Sequence, residues 1–444
     1  MSLLRILSDL VSIRSVNDPL RGEKPSREAA HYICSKLEEW GLKPRLLELE
    51  GFYTVYGELG EDRPVLLLLA HYDVVPADDS EWSTNPFETT VKGGRVYGRG
   101  VADDKGNVAS LMLVLKRLVE EEVSGVAYAF TGDEEIGGER GAGYVAEILK
   151  RENRLPRYLV NADGHLMSVI VRRRSAFRVQ VSVKPRREKV KCSRVFRREF
   201  KISTVYPTRH AAYFLAGADS HPLIAASHFI RADPSFRLLG LKGRFLKSNV
   251  LPSSVEVEVC VEGAEGREVE IDVNLERLIK AVVPLSRAPI PSLLYSDYGV
   301  NVTPNVYSFT GSEHVLQLDV RAFATVDLVE ESLRNVLDNC LPEAVLEVRG
   351  SGKWLYTPVN ATVVRAALEV LREIGEKPVV IEGAGASDSR WFSMNGVEAI
   401  DFGPRGGNVH GVDEYVELSS LLKLPEFYYR LAKKLLRSEP TDPV

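Results

Sequence analysis

Cysteine is scarce in this sequence, and its few copies lie far apart. The four cysteines, Cys34, Cys192, Cys260 and Cys340, include no Cys-x-x-Cys pair. Such spacing predicts neither a disulfide framework nor a cysteine-ligated metal site. Because disulfide-rich cysteine patterns are typical of secreted proteins, we expect a reducing, cytoplasmic location.

Long apolar runs and a strong net charge are also missing. No stretch approaches the roughly 20 apolar residues of a membrane span, and the first ten residues have the pattern of an amphipathic helix, not of a signal peptide. The formal net charge of −5 over 444 residues argues against a dedicated nucleic-acid binder. We therefore expect a soluble protein with room for two domains that contacts neither nucleic acid nor membrane.

Four apolar runs with the character of buried strands each lead to acidic or histidine residues. Continuous apolar runs favour strands that are covered on both faces, and the helical patterns between them indicate an α/β sheet. Ligands bind such sheets beyond the carboxyl ends of the strands. The runs and the residues after them are Pro64–Ala70 with His71 and Asp73, Gly125–Thr131 with Asp133, Glu134 and Glu135, Tyr158–Ala162 with Asp163, and Gly396–Gly403 with His410.

A loop bounded by glycines supplies a further carboxylate. Asp103 and Asp104 lie between Gly100 and Gly106, just before an apolar helix pattern at 108–118. A carboxylate at a helix start can be held by backbone N–H groups and can still offer its oxygens to metal ions. We expect this loop to be the centre of the functional site.

The candidate metal ligands are histidines and carboxylates, with no cysteine among them. Such a set predicts a catalytic site for two divalent metal ions, with zinc favoured and cobalt or manganese as alternatives. In a two-metal site one carboxylate bridges ions roughly 3.5–4 Å apart, and Asp103 is the predicted bridge. The predicted terminal ligands are His71 and Asp163 on one ion, and Glu135 and His410 on the other.

Two acidic residues remain beside these predicted ligands. Glu134 adjoins Glu135 and is the predicted general base, which takes a proton from water and returns it to the leaving nitrogen. Asp73 lies two residues after His71 and is predicted to orient its imidazole. Each motif alone is more often an ordinary polar loop or turn, so the hypothesis depends on their shared position after strands.

The middle of the chain has a different character. Residues 172–201 hold thirteen Lys or Arg and two Glu. This composition indicates either a site for an anionic partner or, as the favoured interpretation, a half-exposed β-hairpin with a solvated basic face. Phe177, Val179, Val181 and Val183 recur at every second position, as in a strand packed on one side.

Beyond the basic run, the order strand, helix, strand, strand, helix, strand predicts a ferredoxin-like unit. We expect an inserted domain at residues 173–354, and an α/β catalytic domain with a mixed, mostly parallel sheet formed by residues 1–172 and 355–444. The region 233–313 is longer than the ferredoxin-like unit needs. The other predicted elements are helices at Pro222–Arg231, Val326–Cys340, 360–375 and Leu418–Arg437, strands at Val255–Val261, Val315–Val320, Ala344–Val348 and Pro378–Ile381, and a frayed tail at 438–444.

Five segments carry longer motifs, namely His71–Pro76, Trp82–Phe87, Tyr97–Gly106, Gly132–Gly137 and Asp163–Gly164. Together they resemble the zinc aminoacylase/carboxypeptidase family, which includes succinyl-diaminopimelate desuccinylase, acetylornithine deacetylase, glutamate carboxypeptidase and carnosinase-type dipeptidases. The resemblance spans nearly the whole chain. It implies a di-zinc peptidase-like catalytic domain with an inserted ferredoxin-like α+β lid domain that often forms a homodimer. It also implies the ligand and base roles given above and a cis peptide bond between Asp103 and Asp104.

The resemblance further implies substrate-binding residues. The segment Ser387–Arg390 is similar to a family motif, so that Ser387 contacts the substrate and Arg390 pairs with its free carboxylate. The segment Leu318–Arg321 resembles a lid strand whose arginine faces the substrate. For both arginines the alternative interpretation is an ordinary surface salt bridge.

Family members also place a histidine in the lid that steadies the tetrahedral oxyanion, often across the dimer. His210 is the best match, and His221 is the alternative. Asn301 is the favoured lid asparagine, with Asn249 as the alternative. These lid segments depart from the family pattern, which leaves the substrate open. His165 is predicted to be structural.

The sequence therefore predicts a metal-dependent hydrolase of an amide bond next to a free carboxylate, with N-acyl amino acids or short peptides as substrates. It does not distinguish a deacylase from a dipeptidase or carboxypeptidase. The alternative is a non-catalytic relative that keeps the fold for binding or assembly. Such a relative should have lost a ligand or the base, and this sequence retains all seven candidates.

Overall fold

A computed structural model of the protein describes residues 2–19, 21–206 and 208–437. The chain forms two compact units. The larger unit comprises the described residues up to Arg173 together with those from Trp354 onward, and the inserted unit spans Arg174–Lys353. This division lies within one residue of the boundaries expected from the sequence. The predicted frayed tail, 438–444, lies outside the described residues.

Helices and strands occur throughout both units. The helices are α1 (Leu3–Ser12), α2 (Arg27–Glu39), α3 (Lys105–Glu120), α4 (Ala142–Arg151), α5 (Pro222–Ala232), α6 (Val273–Ser286), α7 (Val326–Cys340), α8 (Thr362–Glu373), α9 (Arg390–Ser393), α10 (Leu418–Leu421) and α11 (Leu424–Arg437). Within the described ranges, none of these helices combines the length and apolarity needed to cross a bilayer. The strands are β1 (Arg45–Leu49), β2 (Phe52–Leu59), β3 (Leu66–His71), β4 (Thr90–Lys92), β5 (Arg95–Tyr97), β6 (Val126–Thr131), β7 (Tyr158–Asn161), β8 (Val169–Arg173), β9 (Ser175–Val183), β10 (Arg187–Lys201), β11 (Phe236–Gly243), β12 (Ser254–Glu262), β13 (Arg267–Asp272), β14 (Asn301–Phe309), β15 (His314–Ala322), β16 (Val345–Gly350), β17 (Leu355–Tyr356), β18 (Val380–Gly383), β19 (Glu398–Asp401), β20 (Gly406–Gly407) and β21 (Tyr415–Glu417).

A nine-stranded mixed sheet organises the larger unit. Its strands follow the order β1-β2-β6-β3-β7-β19-β8-β17, with β18 beside β8. The four central strands β6, β3, β7 and β19 run parallel to one another. Antiparallel pairs dominate towards both edges, although β18 and β8 are parallel. The α/β class is confirmed, and parallel pairing is concentrated in the centre of the sheet.

Both faces of the central strands are covered. Every side chain of β3 is buried, and because successive side chains point to opposite faces, they enter two different apolar clusters. Leu66 and Leu68 belong to the cluster that contains α1, α3 and α11, whereas Leu67 and Leu69 belong to the cluster that contains α4. This double coverage explains why the strand is a continuous apolar run.

Local signals set the ends of several helices. Ser26 caps α2, since its Oγ atom accepts the N–H of Glu28 at 3.1 Å, as expected for a serine before a helix. The predicted helix at 418–437 is instead two helices, α10 and α11. The break precedes Pro425, which lacks the N–H that a continuous helix needs and fits the first turn of a new one.

The inserted unit contains two four-stranded sheets. The first has the order β14-β15-β9-β16, and with α6 and α7 it follows the chain order β9-α6-β14-β15-α7-β16 of a ferredoxin-like unit. The prediction is wrong about two of its members, because 222–231 and 255–261 are not the first helix and the second strand. Residues 255–261 lie in β12 of the second sheet, which has the order β11-β12-β10-β13. Residues 222–231 lie in α5, which packs against this second sheet. This second sheet accounts for part of the surplus length at 233–313.

The basic run does not form the predicted hairpin. Strands β9 and β10 lie in different sheets, because β10 pairs with β12 and β13. Most side chains of β10 are exposed, and its cations face carboxylates on the neighbouring strands. Lys189 lies 2.7 Å from Glu268, and Arg197 lies 3.1 Å from Glu258. Cross-strand pairs of opposite charge favour a solvated basic face over a site for an anionic partner.

A disulfide bond joins Cys192 of β10 to Cys260 of β12. The expectation that cysteine spacing excludes disulfides is therefore wrong for this pair. Pairing of the two strands brings residues that are 68 positions apart to a Cα–Cα distance of 5.6 Å, which lies within disulfide range, and spacing along the chain does not reveal this. Cys34 and Cys340 are free cysteines.

Candidate metal centre

The predicted ligands lie at the carboxyl ends of the central strands. Strand β3 ends at His71, β6 leads to the 3₁₀ turn that contains Glu134 and Glu135, and β7 is followed by Asp163. Strand β19 leads towards the loop of His410. Since these four strands are parallel, their carboxyl ends meet at one edge of the sheet, where ligand sites of α/β proteins form.

Five side chains form two groups of potential metal ligands that share Asp103. The first group is His71, Asp103 and Asp163, and the second is Asp103, Glu135 and His410; within each group the ligand atoms lie within 4.8 Å of one another. Oδ1 of Asp103 lies 2.9 Å from Nε2 of His71, and Oδ2 lies 3.0 Å from Nε2 of His410. The two oxygens of one carboxylate therefore face different groups.

The chemistry of the cluster fits a pair of divalent cations. Desolvation alone would lower the pKa values of His71 and His410, but interactions with nearby carboxylates raise both. Burial raises the pKa of Asp163 to about 8, whereas hydrogen bonds with the two histidines outweigh burial and lower the pKa of Asp103. Imidazole nitrogens and carboxylate oxygens without sulfur are donors that suit zinc in a catalytic site.

The loop of Asp103 is fastened to the end of β3. Asp104 is buried, and its Oδ2 atom accepts the N–H of His71 at 3.2 Å. The peptide bond between Asp103 and Asp104 is cis, as the resemblance implies. Gly100 has a φ of +84°, and a Cβ atom there would lie 2.7 Å from Val74, so the turn before Asp103 requires glycine.

Asp73 lies fully buried next to the predicted ligands. Its Oδ1 atom is 3.3 Å from Nδ1 of His71, while the other ring nitrogen faces Asp103. Its carboxylate oxygens also accept the N–H groups of Glu134 and Glu135, each at 3.2 Å. Asp73 thus contacts a predicted ligand and the turn that carries the predicted base, as residues behind metal ligands commonly do.

Glu134 begins the 3₁₀ turn Glu134–Ile136. It adjoins Glu135 but belongs to neither ligand group. Burial, and after it the negative charge of Asp163, raises the pKa of Glu134 well above its ordinary value. The structure therefore places one further carboxylate beside the cluster, in addition to those that could hold metal.

Ser387 and Arg390 lie next to this turn. Arg390 is 6% exposed, and its terminal nitrogens donate to the carbonyl oxygens of Ser387 and Gly137. Gly137 directly follows the turn of Glu134. The Oγ atom of Ser387 is buried and has no hydrogen-bond partner within the described ranges. Arg390 thus contacts two backbone carbonyls and lies 3.9 Å from the carboxylate of Asp388, so its ion pair is buried and not at the surface.

The inserted unit contains the remaining histidine candidates. His210 precedes the 3₁₀ turn Ala211–Tyr213, and its Nδ1 atom accepts the N–H of Ala212 at 3.1 Å. His221 is buried, its Nε2 atom lies 3.1 Å from Oδ1 of Asn305, and burial lowers its pKa to about 4. His210 is the more accessible of the two, which favours it over His221 as the lid histidine.

The inserted unit also contains Asn301 and Arg321, which are cross-strand partners in β14 and β15. Arg321 forms a buried two-pronged ion pair with Asp319, with distances of 2.7 and 2.9 Å. The side chain of Asn301 donates to the carbonyl oxygen of Phe214 at 2.7 Å. The salt-bridge interpretation of Arg321 therefore describes its contacts, although the pair is buried and not at the surface.

Two buried residues near the cluster are absent from the sequence-based prediction. Arg173 donates to the carbonyl oxygen of Asp163 at 2.7 Å. It lies in the basic run 172–201, where nothing in the sequence distinguishes it from the other cations. Glu414 contacts the loop of Asp103, although Asp413 and Glu414 together look like a solvated acidic turn. The available signal for Glu414 was its position four residues after His410.

Comparisons with known proteins point to one family. Residues 67–434 match the family described as Peptidase family M20/M25/M40. The chain is 26% identical over 446 residues to a succinyl-diaminopimelate desuccinylase from Xanthomonas campestris pv. campestris, an alignment that covers 98% of this chain and 99% of that protein.

Two solved structures are similar in fold over almost their whole lengths. The M20 family metallo-carboxypeptidase Sso-CP2 from Sulfolobus solfataricus superposes with a TM-score of 0.64 at 20% identity, covering 98% of this chain and 99% of that chain. Aminoacylhistidine dipeptidase from Vibrio alginolyticus superposes with a TM-score of 0.69 at 16% identity, covering 97% and 96% of the two chains.

Proposed function

Because the chain belongs to peptidase family M20/M25/M40, and is therefore a hydrolase of amide bonds, we propose that it uses two divalent metal ions to cleave an amide bond next to a free carboxylate. The observation that carries this proposal is the position of Asp103, whose two oxygens face two separate ligand groups. A shared carboxylate between two histidine-containing groups is the donor arrangement that a pair of ions needs.

In this proposal the chain supplies ligands for two ions. His71 and Asp163 would hold one ion, Glu135 and His410 would hold the other, and Asp103 would contribute to both. Zinc suits this set of donors, with cobalt or manganese as alternatives. When bound, such a pair of ions lowers the pKa of water towards about 7 and polarises a carbonyl oxygen.

Glu134 acts as the general base. Its carboxylate adjoins the cluster without belonging to either ligand group, so it is free to accept a proton from the attacking water and to donate it to the leaving nitrogen. Asp73 accepts the N–H of Glu134 and lies against the ring of His71. It thereby keeps the base and one ligand at a constant separation.

Substrate-binding residues complete the proposal. Ser387 and Arg390 contact the free carboxylate. A guanidinium has five N–H donors, and only some of those of Arg390 donate to carbonyl oxygens of the chain. In the inserted unit, Arg321 and Asn301 contact the substrate, and His210 steadies the oxyanion. This unit acts as a lid and as the homodimer interface.

The proposed substrate is either an N-acyl amino acid or a short peptide. The names of similar proteins divide between a desuccinylase on one side and a carboxypeptidase and a dipeptidase on the other. A non-catalytic role gains no support, because the five ligand candidates, the base and Asp73 all lie together in the larger unit.

Removal and return of metal test this proposal. The protein is stripped with a chelator, supplied with zinc, cobalt or manganese, and assayed on dipeptides and on N-acetyl and N-succinyl amino acids. The same compounds with an amidated carboxyl group serve as control substrates. We expect metal-restored cleavage of the free acids alone and two bound ions per chain. Equal cleavage of the amidated compounds would contradict the substrate class. Binding of one ion or none would contradict the metal assignment.

A further inference from the structure

Glu414 is a fully buried carboxylate whose two oxygens face the loop of Asp103. Its Oε1 atom accepts the N–H groups of Ala102 at 3.0 Å and of Asp103 at 3.2 Å. Its Oε2 atom accepts the N–H of Gly100 at 3.1 Å. One side chain thus satisfies three backbone donors in the loop that carries the shared ligand.

Arg99 extends this contact to a third loop. Its Nη1 atom donates to Oε2 of Glu414 at 2.8 Å, and its Nη2 atom donates to the carbonyl oxygen of Pro76 at 3.2 Å. Arg99 is 2% exposed and packs over the ring of Trp82. Pro76 lies at the end of the segment that begins with His71. The Arg99–Glu414 pair therefore connects the segments that carry His71, Asp103 and His410.

Strand pairing explains how residues so distant in sequence meet. Strands β21 and β5 are antiparallel, with Tyr415 opposite Tyr97. Glu414 immediately precedes one strand, and Gly98 immediately follows the other, so that the N–H of Gly98 donates to the carbonyl oxygen of Glu414 at 3.1 Å. The loop that contains His410 and the loop that contains Asp103 consequently start from one short sheet.

We propose that Glu414 is a positioning residue of the metal centre, which holds the loops of Asp103 and His410 in the geometry that binds the ions. This inference rests on the proposed function, since it presupposes that these residues bind metal. Ligand carboxylates repel one another in the absence of cations, and backbone contacts that hold them in place lower the cost of binding. The ion held by Asp103, Glu135 and His410 should depend most on Glu414, because two of its ligands lie on the joined loops.

The competing explanation is that Glu414 and Arg99 form an ordinary buried ion pair that stabilises the fold. Glu276 of the inserted unit offers a matched control for that explanation. It is 5% exposed, and it accepts hydrogen bonds from Arg237 and from the backbone N–H of Leu238, both at 3.0 Å. Replacement of Glu276 should therefore cost stability in a similar way without any effect on metal.

The test is a titration of metal-free protein with Co²⁺ against a competing chelator, with the visible spectrum of the bound ion recorded at each step. In Glu414→Gln an NH₂ group replaces one carboxylate oxygen. It then faces backbone N–H groups, with which it cannot form hydrogen bonds. We expect one of the two binding steps to weaken by roughly 10–100-fold, with an altered spectrum for that step. Glu276→Gln should bind both ions like the unchanged protein.

Wild-type affinity and spectrum in Glu414→Gln would overturn the inference, and so would an equal loss in Glu276→Gln. If Glu414→Gln does not fold, Arg99→Lys is tested instead. Lysine keeps the positive charge, but its single ammonium group cannot replace the two guanidinium nitrogens that reach Glu414 and Pro76. Unchanged Co²⁺ binding in that variant would likewise overturn the inference. Failure of the unchanged protein to bind two ions would instead contradict the proposed function, so the two failures are distinguishable.

Discussion

The backbone N–H of Glu134 donates to the carboxylate of Asp73 across 3.2 Å, and this contact connects the proposed base to a residue that also lies 3.3 Å from the ring of His71. Asp73 further accepts the N–H of Glu135 at 3.2 Å and the side-chain amide of Asn17 at 3.0 Å. One buried carboxylate therefore contacts the proposed base and two of the proposed ligands.

Replacement of Asp73 should accordingly affect metal binding and turnover together. In Asp73→Asn one carboxylate oxygen becomes an NH₂ group. This group is itself a hydrogen-bond donor, so it cannot accept the N–H groups that Asp73 accepts. We expect metal affinity or turnover to fall by roughly 10–100-fold, as is common when a group behind a metal ligand is lost. Chelator competition and kcat, measured on the same preparation, check both effects.

Asp272 provides the control for this prediction. Like Asp73, it is a buried aspartate that accepts backbone N–H groups, here those of Asn274 and Leu275, and lies 2.9 Å from a histidine, His314. It belongs to the inserted unit. Asp272→Asn should lower stability while metal affinity stays unchanged, and a similar loss of metal in both variants would contradict a specific role for Asp73.

Replacement of Glu134 should separate catalysis from metal binding. Glu134→Gln keeps the size of the side chain but removes its ability to accept and return a proton. We expect kcat to fall by roughly 10²–10⁴-fold, the usual contribution of general acid–base catalysis, while two ions remain bound. Glu139→Gln, an exposed glutamate five residues later, is the control. Turnover close to that of Glu139→Gln would show that Glu134 is not the base.

The meeting of candidate ligands at one edge of the sheet could be predicted, because the signals for strands that end at them are local. Leu66–Leu69 form a continuous apolar run, so a strand that is buried on both faces ends at His71. The same reasoning applies to the runs before Glu134 and Asp163. Parallel strands bring their carboxyl ends together, and no knowledge of side-chain contacts is needed to infer that these residues meet.

Contacts that depend on long-range pairing could not be predicted. Glu414 reaches Gly100 across 314 sequence positions only because β21 pairs with β5, and neither short strand has a distinctive pattern. The helices α5 and α6 are both partly apolar, and such a pattern does not tell which sheet a helix covers. The ferredoxin-like order was therefore recognisable, while two of its members were assigned to the wrong segments.

The disulfide between Cys192 and Cys260 should stabilise the protein. It closes a loop of 68 positions, for which the loss of chain entropy in the unfolded state corresponds to about 4 kcal/mol. We expect the double variant Cys192→Ser, Cys260→Ser to unfold at a lower temperature. Thiol labelling of the denatured, unreduced protein should find two reactive cysteines, Cys34 and Cys340, and four would contradict the bond.

The stability of the larger unit should depend on pH through Glu376. Its carboxylate lies 3.0 Å from Arg405 and 2.6 Å from Lys423, and these hydrogen bonds lower its pKa from 4.5 to about 2. Because the folded pKa lies below the unfolded one, the stabilisation is complete above about pH 4.5 and is lost as the pH falls towards 2.

Glu376→Gln should therefore lower the free energy of unfolding at pH 7 by about 1 kcal/mol, a modest value because Arg405 and Lys423 are partly exposed and solvent screens the pairs. The difference from the unchanged protein should shrink between pH 4.5 and pH 2, since the native carboxylate becomes protonated there as well. Denaturant titrations at several pH values measure this difference, and Glu81→Gln, at an exposed position, controls for loss of a charge. A difference that stays constant over this range would show that the two cations do not hold Glu376 in its ionised form.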